Sequence, residues 1–474
     1  MEFPKELKCF LENGYKNTAN ARAYLGKRGA LVNQLIDVTI FVKTHEEMKL
    51  LYDFYTAITN YTANSFLIDL PVFGTDGHWL VQFASPLTWE NIKGSSGEVK
   101  CTFKLVHDTP VYKYNADITA DGSYTISVTS YDTLGRLFVT DNDGNVTEYD
   151  VPPNETTDIT LDGDISIDGY NIATLVFNSN SAVKTVDICA DGIVDASHMF
   201  EDNDALEEVI SLCLKDAVDI SHIFDDCGNL LYVDEAYLPN VITMDYAFYM
   251  STKLRVIKNF NAPRVESGKY AFSRGDSLVE ITGSTFENII DGYYMFGECP
   301  VLRTASFIDG DGNISFPNLK YGQFMFYYTL HDDLGTIDLP ELLDGYKMLL
   351  GSKADTIERI YAPKLNDAGN FLQHSSLTAI GEVYAPLVGK ALYMFADMDN
   401  LTHIGVQLGS PTNCFALFKS CDDLECITGS FSTKDSSDNG KIFEDCDNLV
   451  HPNESEQNAL ESDDGADYSN SSCD

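Results

Sequence analysis

MFEDNDALEEV at 199–209, IFDDCGNLLYV at 223–233, AFYMSTKLRVI at 247–257, AFSRGDSLVEI at 271–281 and MFGECPVLRTA at 295–305 align without a gap. Their anchors Phe200, Phe224, Phe248, Phe272 and Phe296 follow one another at intervals of 24 residues. Six residues after each anchor stands Leu206, Leu230, Leu254, Leu278 or Leu302, and nine after it Val209, Val233, Ile257, Ile281 or Ala305. The register runs on, with drift, through Phe326, Leu349, Leu372, Phe395, Phe418 and Phe443, giving about 11 repeats over 181–450. Pro239, Pro263, Pro317, Pro340, Pro363 and Pro386 check it independently, each nine residues before an anchor. The one long step, from Phe296 to Phe326, contains FIDGDGNISF at 307–316, which reads as a loop inserted at the rim of a coil.

A unit of this length with three or four apolar anchors cannot bury enough surface alone. Stacked on its neighbours, it contributes to one continuous core. Each buried Phe, Leu or Ile then stabilises the array by about 1.5–3 kcal/mol. Short strands, turns and single helical turns are expected, with a parallel ladder along one face. The runs MFGECPVL, LFKSCDDLECI and IFEDCDNL resemble BspA-like surface-protein leucine-rich repeats, over about 190–450. In that resemblance Cys227, Cys299, Cys421 and Cys446, three residues past their anchors, are small core residues.

Residues 111–180 alternate apolar and polar positions in SYTISVTSYDT, RLFVTDND, DITLDGDISI and ATLVF, separated by DG and NDG turns. Short antiparallel strands follow, in a small β-sandwich serving as spacer. In 1–110, LVNQLIDVTIFVK reads as a strand. THEEMKLLYDFYTAITN reads as a helix with Thr44 as N-cap and Glu47 closing a capping box. Three more strands follow in SFLIDLPVF, HWLVQFASPLTWENI and EVKCTFKLVH. GKRG at 26–29, DVTIFV, LYDFYTAIT, FLIDLP and VKCTFKLV together resemble bacteriophage minor tail proteins. That resemblance implies a tail-tube-like α+β domain that docks on neighbouring virion subunits. The expected fold is therefore multidomain: an α+β domain at 1–110, a β-sandwich at 111–180, a leucine-rich-repeat solenoid at 181–450 and a flexible acidic tail at 451–474.

The net charge of −42 is uneven. Residues 1–110 carry 11 basic against 12 acidic residues, which leaves 20 against 61 in the rest. Such a field repels phosphate backbones and anionic lipid, so no nucleic-acid partner is expected. MEFPKELKCFLENGYKNTAN does not read as a secretory signal, and no apolar run is long enough for a membrane helix. The 11 cysteines form no CxxC pair and are expected reduced, with Cys473 incidental.

No GxSxG, P-loop, HExxH or HxxxH motif is present. DNDGN at 141–145 and DGDGN at 309–313 begin as calcium loops do, but their twelfth positions are Pro152 and Lys320. Pairs such as Asp225–Asp226 and Asp422–Asp423 recur with the repeat and read as solvated turns. No catalytic, cofactor-binding or metal-ligating residue is expected, and the chain reads as a non-enzyme. The candidate partner-binding residues are Tyr246, Tyr270, Tyr294 and Tyr393, each two before its anchor. Stacking would align the first three into an aromatic strip, as core or rim packing or as a contact for sugar rings or a protein. The expectation is a phage tail protein made in host cytoplasm and placed in the virion tail as a symmetric homo-oligomer. Its partners would be other tail subunits and a host surface protein or glycan. The alternative is a cellular BspA-like surface adhesin with no virion role.

Overall fold

The computed structural model describes residues 113–473 except 132–133, 179–181 and 330–332, together with six earlier strands, Leu51 and Leu87. The chain divides into two compact units, Met1–Lys113 and Tyr114–Asp474.

Among the described residues, the first unit contains one antiparallel sheet. Its strands are β1 Lys8–Leu11, β2 Leu35–Val42, β3 Ser65–Asp69, β4 His78–Phe83, β5 Thr88–Lys93 and β6 Ser96–Leu105. They lie in the order β1-β2-β6-β4-β3, with β5 on β6. The strands expected at DVTIFV and FLIDLP are there. Of the helix expected around 44–60, only Leu51 is described, helical and fully buried. The GKRG segment lies outside the described residues. The elements described are strands, so the α+β class expected here is not supported.

The second unit begins with antiparallel strands: β7 Lys113–Ala120, β8 Ser123–Ser130, β9 Gly135–Asp141, β10 Val146–Val151, β11 Thr156–Asp162, β12 Ile165–Tyr170 and β13 Ile172–Phe177. Strands β10-β9-β12-β7 make one layer and β11-β8-β13 another. Their alternation buries Tyr124, Ile126 and Val128 on one side and Leu137, Ile165 and Ile167 on the other, within one core. The strand β14 Val183–Ala190 then changes the sheet's character. It pairs antiparallel with β7 and parallel with β15 Glu208–Leu214. The module at 113–177 is thus continuous with the repeats and covers their first coil. An open first coil would leave apolar faces wet, which is why solenoids need such caps.

From β15 the chain is a β-solenoid of about 11 turns with almost no helix. Parallel pairs climb through β16 Tyr232–Val233, β17 Ala236–Tyr237, β18 Val256–Ile257, β19 Phe260–Asn261, β20 Glu280–Ile281 and β21 Thr304–Ala305. A second ladder runs through β22 Ile314–Ser315, β23 Leu334–Asp338, β24 Thr356–Tyr361, β25 Ala379–Ala385, β26 His403–Leu408 and β27 Cys426–Ser432. The anchor rings form the spine. Phe200, Phe224, Phe248, Phe272, Phe296 and Phe326 stack at centroid spacings of 5.3, 5.2, 5.4, 5.4 and 5.5 Å. Phe177 of the capping module continues that stack, 4.6 Å from Phe200. Leu349 and Leu372 fill the two anchor positions without a ring and are fully buried, so the spine stays closed. The residue two past each proline, Val241, Val265, Leu319, Leu342, Leu365 or Val388, is buried as well.

The insert at 307–316 is more than a rim loop. Ile308 and Ile314 bridge antiparallel, and Phe307 and Phe316 enter the core, with Phe307 packing 4.7 Å from Phe296.

Three residues past the anchor, Cys227, Cys299, Cys421 and Cys446 each donate from sulfur to the anchor carbonyl of the preceding coil, at 3.0 Å. Ser251 Oγ does the same at 2.8 Å, and Asn203 Nδ2 reaches Phe177 O at 3.0 Å. A buried carbonyl on the spine is satisfied by a small side-chain donor, and cysteine is one of several that fit.

The flexible tail expected at 451–474 is overturned, and so is an incidental Cys473. The helix α1 Glu454–Leu460 opens with a capping box between Asn453 and Glu456. The strand β28 Asp467–Asn470 pairs antiparallel with β27, and Cys473 is disulfide-bonded to Cys426. Leu460 and Tyr468 are buried, and the Tyr468 hydroxyl donates to Ile427 O at 2.7 Å. The polar composition of this stretch hid a cap that closes the last sheet edge.

Candidate binding face

Each coil carries two left-handed residues, two before and two after its anchor. In the first coil these are His198 and Asp202, with φ of 59° and 56°; in the third, Tyr246 and Met250, with φ of 59° and 55°. A non-glycine residue pays about 1–2 kcal/mol for that conformation. Hydrogen bonds between coils hold it. The N–H of His198, His222, Tyr246, Tyr270, Tyr294 and Phe324 donates to Ser221, Asp245, Lys269, Tyr293, Gln323 and Tyr346 carbonyls, at 2.7–3.0 Å. Asp195, Asp219, Asp291, Asp344 and Asp367 brace the same turns, each accepting from the N–H two residues on. Part of the chain's acidity is therefore a recurring turn brace.

This backbone aims one side chain per coil outward at constant rise. The result is a ladder of parallel rings: His198, His222, Tyr246, Tyr270, Tyr294 and Phe324, at successive spacings of 4.7, 4.8, 4.8, 5.2 and 5.4 Å. The spacing matches the separation of hydrogen-bonded strands. Each stacked pair contributes about 0.5–1.5 kcal/mol, which offsets much of the left-handed strain. Tyr249, Tyr293 and Tyr327 flank the ladder, and Arg274 lies over the Tyr249 ring at 5.9 Å. Beyond Phe324 the stack ends at Lys347, whose ammonium sits 5.5 Å above the Phe324 ring.

Tyr246, Tyr270 and Tyr294 thus come together. Tyr393 does not join them; it meets Phe415 edge-on at 5.5 Å. His198, His222 and Phe324 belong to the ladder and were missed, although all three share the register two before the anchor. Partial burial pushes the Tyr246, Tyr270 and Tyr294 phenols above the ordinary tyrosine value. They stay neutral and able to donate hydrogen bonds. The three rings are half-buried, each stacked between its neighbours.

The strand side carries a second polar-aromatic group. Tyr361 and Tyr384 stack at 5.4 Å, with the Arg359 guanidinium 5.1 Å from the Tyr361 ring. Glu382 receives Arg359 at 2.8 Å and Gln407 at 2.7 Å. Beside them an open cleft of about 500 Å³ is lined by Asn313, Ser315, Thr336, Asp338, Arg359 and Tyr361.

The two calcium-like turns consume their own carboxylates. Asp141 accepts from the N–H of Asp143 and Asn145, and Asp309 from the N–H of Asp311 and Asn313. The side chains of Asn145 and Asn313 are the main cause holding these carboxyls below the usual range. Among the described residues no helix is long and apolar enough to cross a membrane. No known family, curated protein or solved structure matches this chain.

Proposed function

We propose that the chain is a phage tail-associated structural protein without catalytic activity. Residues 1–110 dock on other tail subunits, and the acidic solenoid, of the BspA-like leucine-rich type, is displayed to a host surface protein or glycan. The observation that carries the binding role is the ring ladder over Tyr246, Tyr270, Tyr294 and Phe324. Rings locked in a stack lose little entropy on binding, and their partly exposed rims offer rigid amphipathic contact area to a protein or glycan. The docking role rests on the motif resemblance of the first 110 residues. A symmetric tail would carry many copies, turning weak contacts into avidity.

Two measurements test this. Mass spectrometry of purified virions is expected to find the chain; its absence there, with presence on a cell surface, would favour the adhesin alternative. Binding of the full chain to host envelope fractions is expected to fall at least tenfold, about 1.4 kcal/mol, when Tyr246, Tyr270 and Tyr294 are replaced by Ala. Unchanged binding by that variant would remove the ladder from recognition.

A further inference from the structure

We propose that the first two coils hold one divalent transition-metal ion, Zn²⁺ being the representative case, on His198, Glu201, His222 and Asp225. The sequence carries the same spacing twice, His198-Met199-Phe200-Glu201 and His222-Ile223-Phe224-Asp225, one repeat apart. Each turn brings its imidazole Nδ1 against its own carboxylate: His198 to Glu201 Oε2 at 2.8 Å, His222 to Asp225 Oδ2 at 2.7 Å. Coil stacking then joins the two sets. The imidazole rings lie parallel, 4.7 Å apart, and His222 Nδ1 is 3.9 Å from Glu201 Oε1. One donor atom from each of His198, Glu201 and His222 lies within 4.8 Å of the others. The ligands of a tetrahedral zinc ion, at about 2.0–2.2 Å from the metal, stand roughly 3.3 Å from one another. For His198, Glu201 and His222 the donors therefore need to close by at most about 1.5 Å, and these side chains are partly exposed; Asp225 stands against His222.

The donor chemistry selects the class of ion. Imidazole nitrogen with carboxylate oxygen suits zinc, nickel or copper, whereas calcium and magnesium take oxygen alone. The location gives the ion a structural consequence, because its ligands come from consecutive coils at the end of the ring ladder nearest the capping module. Among the described residues no other coil pairs a histidine at this register with a carboxylate three residues on; the later coils carry Tyr, Phe, Lys, Asn or Ala there.

The test is equilibrium dialysis of the full chain against ZnCl2, with excess Mg²⁺ to occupy the general acidic surface. The readout is the zinc retained by the chain minus that retained by its His198→Ala/His222→Ala variant. Ala416 holds the equivalent place in its coil with φ of 55°, so alanine is compatible with this turn. The chain is expected to retain one more equivalent than the variant, and its melting temperature to rise with zinc while the variant's does not. The single His222→Ala change should weaken binding by at least the 10–100-fold that loss of a ligand's supporting partner costs. A Cys189→Ser/Cys213→Ser variant, which removes the thiol pair whose sulfurs lie 2.6 Å apart, should keep the site. Equal zinc retention by the chain and the double-histidine variant overturns the proposal, as does loss of the extra equivalent in the cysteine variant alone.

Discussion

Three residues past most anchors, the side chain supplies a donor to a carbonyl that stacking has buried; Gly275 and Met398 carry none. Cys227 is therefore replaceable by Ser, the residue that stands at 251 in the next coil. Cys227→Ser is expected to leave the unfolding midpoint nearly unchanged, whereas Cys227→Ala leaves the Phe200 carbonyl without its side-chain partner, at about 1–3 kcal/mol. Equal denaturation midpoints for the two variants would refute this role. Burial also pushes the Cys299 thiol up to about 12, from an ordinary value of 9.0. In the unfolded chain that thiol ionises near 9.0, while the folded chain keeps its proton. Its contribution is therefore fully present below pH 9 and is lost as pH rises towards 12. Alkaline unfolding of Cys299→Ser should show a shallower loss of stability across that window; an identical slope would contradict it. The expectation that these cysteines are small core residues came with the resemblance to BspA-like repeats. The hydrogen bond was not legible in the sequence, because it depends on a carbonyl of the neighbouring coil.

Among the elements, the caps explain most of what composition failed to announce. A polar, acidic stretch such as HPNESEQNALESDDGADYSNSSCD carries no periodicity, yet it folds because β27 would otherwise expose an open edge. The capping box at Asn453 was readable as a local signal; the pairing of β28 and the Cys426–Cys473 link are long-range and had none. A cross-link spanning 47 residues is expected to stabilise the closing cap by about 2–4 kcal/mol. Cys473→Ser should lower the melting temperature and raise protease cleavage in 451–473 first. Cleavage beginning instead within the central coils would contradict the cap. At the other end, β14 has an antiparallel partner on one side and a parallel one on the other. Period-two alternation revealed the strands of the first module but could not reveal that their sheet continues into the repeats.

For the whole molecule, the core described for the second unit runs from Tyr114 to Tyr468. Deleting those residues is expected to leave a soluble, folded solenoid by circular dichroism and to abolish incorporation into virions. Normal particles containing the shortened chain would contradict the docking role. The solenoid itself was legible because its period recurs in anchors, leucines and prolines independently, and three tyrosines of the ladder followed from the same register. Tyr393 shares the register but stands apart, as expected, because the intervening coils carry Lys347 and Asn370 at that position, which ends the stack. Disulfide trapping between coils tests the stacked register most directly. Tyr232 and Val256 are direct partners on adjacent parallel strands, while Glu280 pairs with Val256 one coil further on. Adjacent strands hold such partners within the Cα separation that a disulfide accepts. Mild oxidation should link Tyr232→Cys with Val256→Cys and should fail to link Tyr232→Cys with Glu280→Cys; no link in the first pair, or equal linking in both, would contradict the stacked spine.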